Sequence, residues 1–226
     1  MIQLISGEIL QLLPQRAAYW PREKMLIIAD IHFGKAAAFR AKGVPVPHGT
    51  TDQNLQELDN LLRQFEVSQI LFLGDFLHAK TARAPATLAA LHTWRATHPD
   101  LHLILVRGNH DLHAGDPPAT LRMQMVDEPH QVGAFTFCHH PAPLPDTYVL
   151  AGHVHPVYRL AAANDRLRLP CFVIGERHAI LPSFGAFTGG FAVTPAPGER
   201  VMLIADDRVF AVPAMPGTLP RQVGRL

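Results

Sequence analysis

The sequence predicts an α/β fold in which two packed, mixed β-sheets are flanked by helices, and three observations carry that prediction. Buried-type apolar runs alternate with helical stripes through the first half of the chain. After residue 130 short apolar runs follow one another without long helical segments. Strand after strand ends in an Asp, Asn or His, where ligands of α/β sheets sit, at the carboxyl ends of the strands.

Met25-Leu26-Ile27-Ile28-Ala29 is a continuous apolar run of strand length that stops at Asp30. From Asn54 to Phe65, residues Leu55, Leu58, Leu61, Leu62 and Phe65 recur at helical spacing. Ile70-Leu71-Phe72-Leu73 is a second strand, ending at Gly74-Asp75. Pro85 to Thr97 carries Leu88, Leu91 and Trp94 on one helical stripe, and Leu101 to Val106 is a third strand, ending before Gly108-Asn109-His110-Asp111. Strand, helix, strand, helix, strand implies right-handed crossovers and a largely parallel sheet. The later runs, Ala134–Cys138, Tyr148–Ala151, Cys171–Ile174 and Val201–Ile204, make a second sheet, mixed or antiparallel, packed on the first. No linker, repeat or low-complexity stretch divides the chain, so a single domain over residues 1–226 is expected, with a poorly ordered Pro- and Gly-rich tail from Pro213.

Composition narrows the functional classes. At 226 residues, 48% hydrophobic and 17% charged, the chain is an ordinary globular one. No run reaches the roughly 18 apolar residues of a membrane helix. The first residues lack a basic end and apolar stretch of the secretory kind, so a cytoplasmic location is expected. The net charge of +1 does not announce a nucleic-acid binder, although a local basic patch can hide within it. Cys138 and Cys171 lie in apolar runs and read as buried free thiols. The unusual count is histidine, at 14, because several stand at the ends of apolar runs.

Those strand ends are the informative feature. The first delivers Asp30 and His32, the second Asp75, the third Asn109 and His110; later strands deliver His139 and His140, then His153 and His155. Members of Asp30/His32 and of His153/His155 are two apart, so in extended chain each pair faces one side. A lone Asp after Gly is usually a turn residue, but five coincidences of that kind are not independent accidents. Carboxylates, imidazoles and one amide oxygen, without thiolates, suit Mn, Fe, Co or Zn. The donors are too many for one ion. Two divalent ions about 3.5–4 Å apart, sharing a carboxylate, clamp a phosphoryl group for in-line attack by activated water.

The blocks Asp30-Ile31-His32, Gly74-Asp75, Gly108-Asn109-His110-Asp111, His139 and Gly152-His153-Val154-His155 resemble, in order, the motifs of the calcineurin-like metallophosphoesterases. The resemblance implies that fold, with Asp30, His32 and His155 on one ion, Asn109, His139 and His153 on the other, and Asp75 bridging. It implies that His110 faces the phosphate, stabilising charge or protonating the leaving oxygen, and that Asp111 orients His110. His139 and His140 both follow Phe135-Thr136-Phe137-Cys138; the family places its ligand first after that strand, which selects His139.

A finer resemblance rests on Tyr19-Trp20-Pro21, Ala29 to Lys35, Gly43-Val44-Pro45-Val46-Pro47 and Leu181 to Gly190. These stretches look like the bacterial DNA-ligase- and helicase-associated phosphoesterases, the PdeM or Lhr-associated MPE branch. That likeness implies a manganese-dependent phosphodiesterase with DNA endonuclease activity, linked to DNA repair and to a DNA ligase and a helicase. A hydrolase of small phosphoesters, such as cyclic nucleotides or nucleotide conjugates, is the alternative, and a metal-binding scaffold the weaker one.

Around this centre, His78 and Lys35 are candidate phosphate contacts, and Arg107 could face either substrate or an acidic neighbour. Arg40 and Lys42 read as a solvated helix face. Tyr19 and Trp20 could stack on bases, but next to a buried strand they read as packing. Gly185 to Gly190 reads as a tight turn under the site with no catalytic role.

Overall fold

The computed structural model describes residues 1–46, 48–162 and 165–213. The tail expected from Pro213 therefore lies, but for its first residue, outside the described residues.

Seven strands form the first sheet in chain order: β1 (Ile2–Ile5), β2 (Glu8–Leu12), β3 (Ala17–Trp20), β4 (Met25–Ala29), β5 (Gln69–Leu73), β6 (His102–Val106) and β7 (Met123–Val126). Pairing is antiparallel from β1 to β4 and parallel from β4 to β7. Helices α1 (Lys35–Ala41) and α2 (Thr50–Gln64) follow β4, α3 (Pro85–Thr97) follows β5, and the short α4 (Asn109–Ala114) follows β6. Because the parallel strands advance in one direction with right-handed crossovers, the helices collect on one face. The buried side chains show it: Leu26, Ile28, Ile70, Phe72, Leu103 and Leu105 pack with Leu55, Leu58 and Leu61 of α2 and Leu91 and Trp94 of α3.

The alternate residues of the same strands, Met25, Ile27, Ala29, Leu71, Leu73, Ile104 and Val106, point the other way and meet the second sheet. That sheet contains β8 (His130–Val132), β9 (Phe135–Cys138), β10 (Tyr148–Ala151), β11 (Pro156–Ala162), β12 (Asp165–Ile174), β13 (His178–Ile180), β14 (Phe191–Ala192), β15 (Arg200–Ala205) and β16 (Arg208–Ala211). It is mixed: β10 is parallel to both β9 and β13, while β12 runs antiparallel to β11, β13 and β15. Phe135, Phe137, Leu150, Phe172, Ile174 and Met202 supply its half of the interface. The flanking helices among the described residues all belong to residues 35–114, on the first sheet's outer face.

Two elements go beyond what the sequence pattern marks. The first 20 residues are three antiparallel strands that no helical alternation announced, and the apolar run at Cys171–Ile174 is only the end of a ten-residue strand paired with β11. Tyr19 and Trp20 are buried, with the Tyr19 hydroxyl donating to the Glu66 carbonyl and the Trp20 indole to Glu8, as packing residues rather than a base platform. Cys138 and Cys171 are buried free thiols, and burial pushes them up to about 11 and about 12. Among the described residues no helix is long and apolar enough to cross a membrane.

Candidate metal centre

Parallel strands β4, β5 and β6 end in register, so the loops that follow lie side by side. The His32 amide donates to the Asp75 carbonyl (2.9 Å) and the Phe33 amide to the Phe76 carbonyl (2.8 Å), carrying the β4–β5 pairing past the strands. The β9 and β10 loops from the second sheet arrive opposite: the His153 amide donates to Asp30 Oδ2 at 2.8 Å. All five motif blocks thus meet at one edge.

The backbone there is unusual. Asp30, His32, Asp75, His153 and His155 all have φ between 48° and 68°, a region L-residues seldom occupy. Such conformations persist only where surroundings over-determine them. Here the Ala29, Asp30 and Ile31 carbonyls accept bonds from the Phe184 amide, the Ser183 hydroxyl and the Asn54 side chain respectively. Gly74, itself at φ 73°, sits so close that a Cβ would lie 2.1 Å from His139 Nδ1. A side chain at that position would push out the imidazole it supports.

Two groups of donors face inward. In the first, Asp30, His32, Asp75 and His155 bring one atom each within 4.8 Å of one another. The His32 and His155 Nε2 atoms are 3.4 Å apart, and Asp30 Oδ1 is 3.5 Å from His155 Nε2. In the second, His139 Nε2 lies 2.9 Å from Asn109 Oδ1 and 3.0 Å from His153 Nδ1. Asp75 spans the two, with Oδ2 3.6 Å from His32 Nε2 and Oδ1 3.6 Å from His139 Nε2.

Proton placement follows from partners that can only accept. His139 Nδ1 donates to the Leu73 carbonyl (3.1 Å) and His155 Nδ1 to the Gly189 carbonyl (3.1 Å), so each presents an Nε2 lone pair inward. Burial, then the nearby Lys35 charge, lowers the His32 pKa, and burial followed by His139 and His140 lowers that of His153. Ring nitrogens of His32 and His155, and of His139 and His153, therefore face one another at 3.4 and 3.0 Å, and Asp30 Oδ1, fully buried, has no hydrogen-bond partner. Unpaired buried acceptors are costly, and a bound cation removes the cost. The donor set fits divalent metal.

His110 lies outside the two groups that Asp75 spans but joins His32 and His78 in a third cluster of imidazoles, one nitrogen of each within 4.8 Å of the others; it is half-exposed, with Nε2 4.0 Å from Asp75 Oδ2. Its Nδ1 donates to the His78 carbonyl at 2.6 Å, and its ring stacks on that of His78 at 4.8 Å between centroids. Asp111, expected to orient His110, does something else. Its Oδ1 accepts the Phe76 and Leu77 amides and its Oδ2 the Gly108 amide, so it ties the Asp75 loop to the Asn109 turn. Burial pushes its carboxyl up to about 6 against those bonds. The residue that holds the His110 ring is His78, through a main-chain oxygen that no sequence pattern marks.

Lys35 sits beside the centre: burial lowers its pKa while Asp75 and Asp30 oppose the shift. Burial followed by Lys35's charge lowers the His78 pKa to about 4. Arg107 turns away, paired through two nitrogens with Asp116 (2.7 and 2.9 Å) and with Asp127 (2.9 Å). Between substrate and acidic neighbour, the two roles its position leaves open, the acidic neighbours hold it. His140 also reaches the second group, held by Glu128 Oε1 at 2.6 Å, while Glu128 Oε2 accepts the His139 and His140 amides. The turn at Gly185–Gly190, read as mere packing, positions His155 through the Gly189 carbonyl. Neither Glu128 nor Gly189 has a sequence signal, since each acts across 11 or more residues.

The calcineurin-like phosphoesterase model matches residues 23–153, more than half of the chain. A crystal structure of the nuclease MPE of Pseudomonas putida is 47% identical, covers 94% of this chain and 99% of its own, and superposes at a TM-score of 0.83. An Aquifex aeolicus protein of unknown function is 20% identical over 58% of this chain and 78% of its own, at a TM-score of 0.38, too low to bear on the fold. No curated protein matches. With the motifs gathered at one edge, the family model spanning them and a relative of this identity along nearly its whole length, the chain belongs to the calcineurin-like phosphoesterases, in their MPE branch, and is a metal-dependent phosphoesterase.

Proposed function

We propose that the protein is a binuclear-metal phosphodiesterase acting on DNA, an endonuclease of DNA repair, working in the cytoplasm as one catalytic domain with manganese. The observation that carries the reading is Asp75, whose two oxygens each approach a different donor group. The nuclease name of the Pseudomonas relative supports the choice of DNA.

In this reading Asp30, His32 and His155 would hold one ion and Asn109, His139 and His153 the other, with Asp75 placed between the two sets. When bound, the pair supplies an activated water and neutralises phosphoryl charge. The chain's own groups do the rest. The His78 carbonyl fixes the His110 Nδ1 proton, leaving Nε2, which faces Asp75 at 4.0 Å, to carry a proton toward the leaving oxygen. Lys35 contributes positive charge beside the reacting phosphate, and the resemblance to the ligase- and helicase-associated branch makes those two enzymes its functional partners.

The test is turnover of bis-p-nitrophenyl phosphate beside p-nitrophenyl phosphate with added manganese, followed by plasmid nicking. Diester preference, nicking and loss of both on chelation are expected. Activity surviving exhaustive chelation, or confined to the monoester, sinks the reading; a preference for magnesium removes manganese from it. An undisturbed response to DNA damage in cells lacking the protein removes the repair assignment.

A further inference from the structure

Beside the metal centre lies a cleft of about 340 Å³, one wall of which is His155. Two cations line it, Arg16 and Arg168, and none of its described lining residues is acidic. Arg16 comes from the turn between β2 and β3, where its backbone adopts φ 60° and its amide donates to the Leu13 carbonyl. Its guanidinium is half-buried and has no ion pair among the described residues, and burial lowers its pKa. A desolvated guanidinium without a counter-charge is costly unless something anionic arrives.

Arg168 lies on β12, opposite Arg159 of β11. Directly opposed like charges destabilise a strand pair. Neither has a carboxylate partner among the described residues. One Arg168 nitrogen donates to the Gly190 carbonyl at 2.7 Å. The next carbonyl back, Gly189, is the one that orients His155. Arg168 is thus anchored on the turn that aims His155, and its remaining N–H groups stay open in a fork suited to phosphate oxygens.

We propose that this cleft is a subsite for the backbone phosphate next to the one being cleaved, with Arg16 and Arg168 as its contacts. The inference rests on the reading of DNA as substrate and adds to it a direction, since the strand leaves the metals on the His155 side. It also supplies the local basic patch that a net charge of +1 conceals.

The test compares Arg16→Ala, Arg168→Ala and the double variant with the unmodified protein on two substrates. One is a single-stranded oligodeoxynucleotide and the other bis-p-nitrophenyl phosphate, which has no neighbouring phosphate. Each single change should lower the ratio of kcat/KM on DNA to that on the small diester by about 10-fold, the strength of a charge-assisted hydrogen bond. Loss of both contacts should also flatten the salt dependence of oligonucleotide binding by about 1.4 in log–log slope, and lysine at both positions should recover most of it. An unchanged ratio while the unmodified protein cleaves DNA overturns the subsite and leaves the DNA reading standing. Equal losses on both substrates overturn it too, because they place the arginines in the metal centre's own structure. If the unmodified protein hydrolyses the small diester but neither binds nor cuts the oligonucleotide, the DNA reading fails and the subsite with it.

Discussion

The first sheet brings Asp30, His32, Asp75, Asn109 and His110 to the centre, while the second brings His139, His153 and His155. One side supplies every carboxylate, the amide and the imidazoles of His32 and His110; the other supplies imidazoles alone. Each donor group nevertheless needs both, since His155 completes the set of Asp30, His32 and Asp75, and Asn109 meets His139, which in turn meets His153. The difference has a physical origin. The first sheet's parallel strands end in register at one edge, so short loops there can share carboxylates between neighbours. The second sheet's imidazoles are longer side chains, steered from behind by carbonyls of Leu73 and Gly189, and they reach across the seam.

If the carboxylates of the first sheet hold the two groups together, removing the one that spans them should have the largest effect. Asp75→Ala is expected to abolish turnover and strip both ions together, by more than the roughly 100-fold in affinity that an outer support is worth. It also frees the His110 amide, which Asp75 Oδ1 accepts at 2.9 Å. Metal analysis of the purified variant decides it: retention of two ions would show that the sheets are bridged by other means.

His110→Ala breaks the comparison differently, because His110 belongs to the first sheet but to neither of the two groups that Asp75 spans. Turnover should fall roughly 10²–10⁴-fold with metal content kept. A nitrophenolate leaving group needs little protonation, so the small diester should suffer less than DNA. Loss of an ion would make His110 a ligand; equal slowing of both substrates with metal kept would leave charge stabilisation as its role.

Asp111→Asn tests the corrected assignment. The amide can still accept at one atom but not at both, so one of the Phe76–Leu77 and Gly108 ties is lost. Activity should fall about 10–100-fold, as for other supports of metal ligands, accompanied by weaker metal binding. A pure loss of kcat with unchanged metal affinity would return Asp111 to His110.

The strand-end placement of the donors was legible because period and punctuation are local: an apolar run, then a Gly or Asp, needs no knowledge of the fold. The helix at Pro85–Thr97 and the strand at Met25–Ala29 have the bounds that the pattern marks. What could not be read depends on contacts between distant segments. Asp111 follows His110 in sequence, yet its oxygens face the amides of Phe76, Leu77 and Gly108. The β1–β3 antiparallel strands alternate too briefly to distinguish from loop, and Gly189 acts by a carbonyl, which every residue carries. Arg107 and Arg168 differ in the same way. Both are arginines that the fold brings near the site, and only the fold shows that one has carboxylates and the other, among the described residues, has none.

That last contrast gives the smallest expected effect. Arg107 sits immediately before the Gly108-Asn109-His110 block, and proximity in sequence suggests the phosphate. In the fold its guanidinium is held by Asp116 and Asp127, and its pKa is raised, first by the hydrogen bond it donates to Asp116. A group so occupied has little to offer a substrate. Both partners are substantially exposed, and surface ion pairs contribute about 0.2–1 kcal/mol. Arg107→Ala should therefore lower the melting temperature by only a few degrees, at roughly 2–4 °C per kcal/mol for a chain of this size, and change kcat/KM on DNA by less than about 3-fold, well under one charge-assisted hydrogen bond. The measurement is a melt beside rates on DNA and the small diester. A loss of about 10-fold confined to DNA, the size of one charge-assisted contact, would mean that substrate pulls Arg107 off its carboxylates, extending the strand's path to the first sheet's side of the centre.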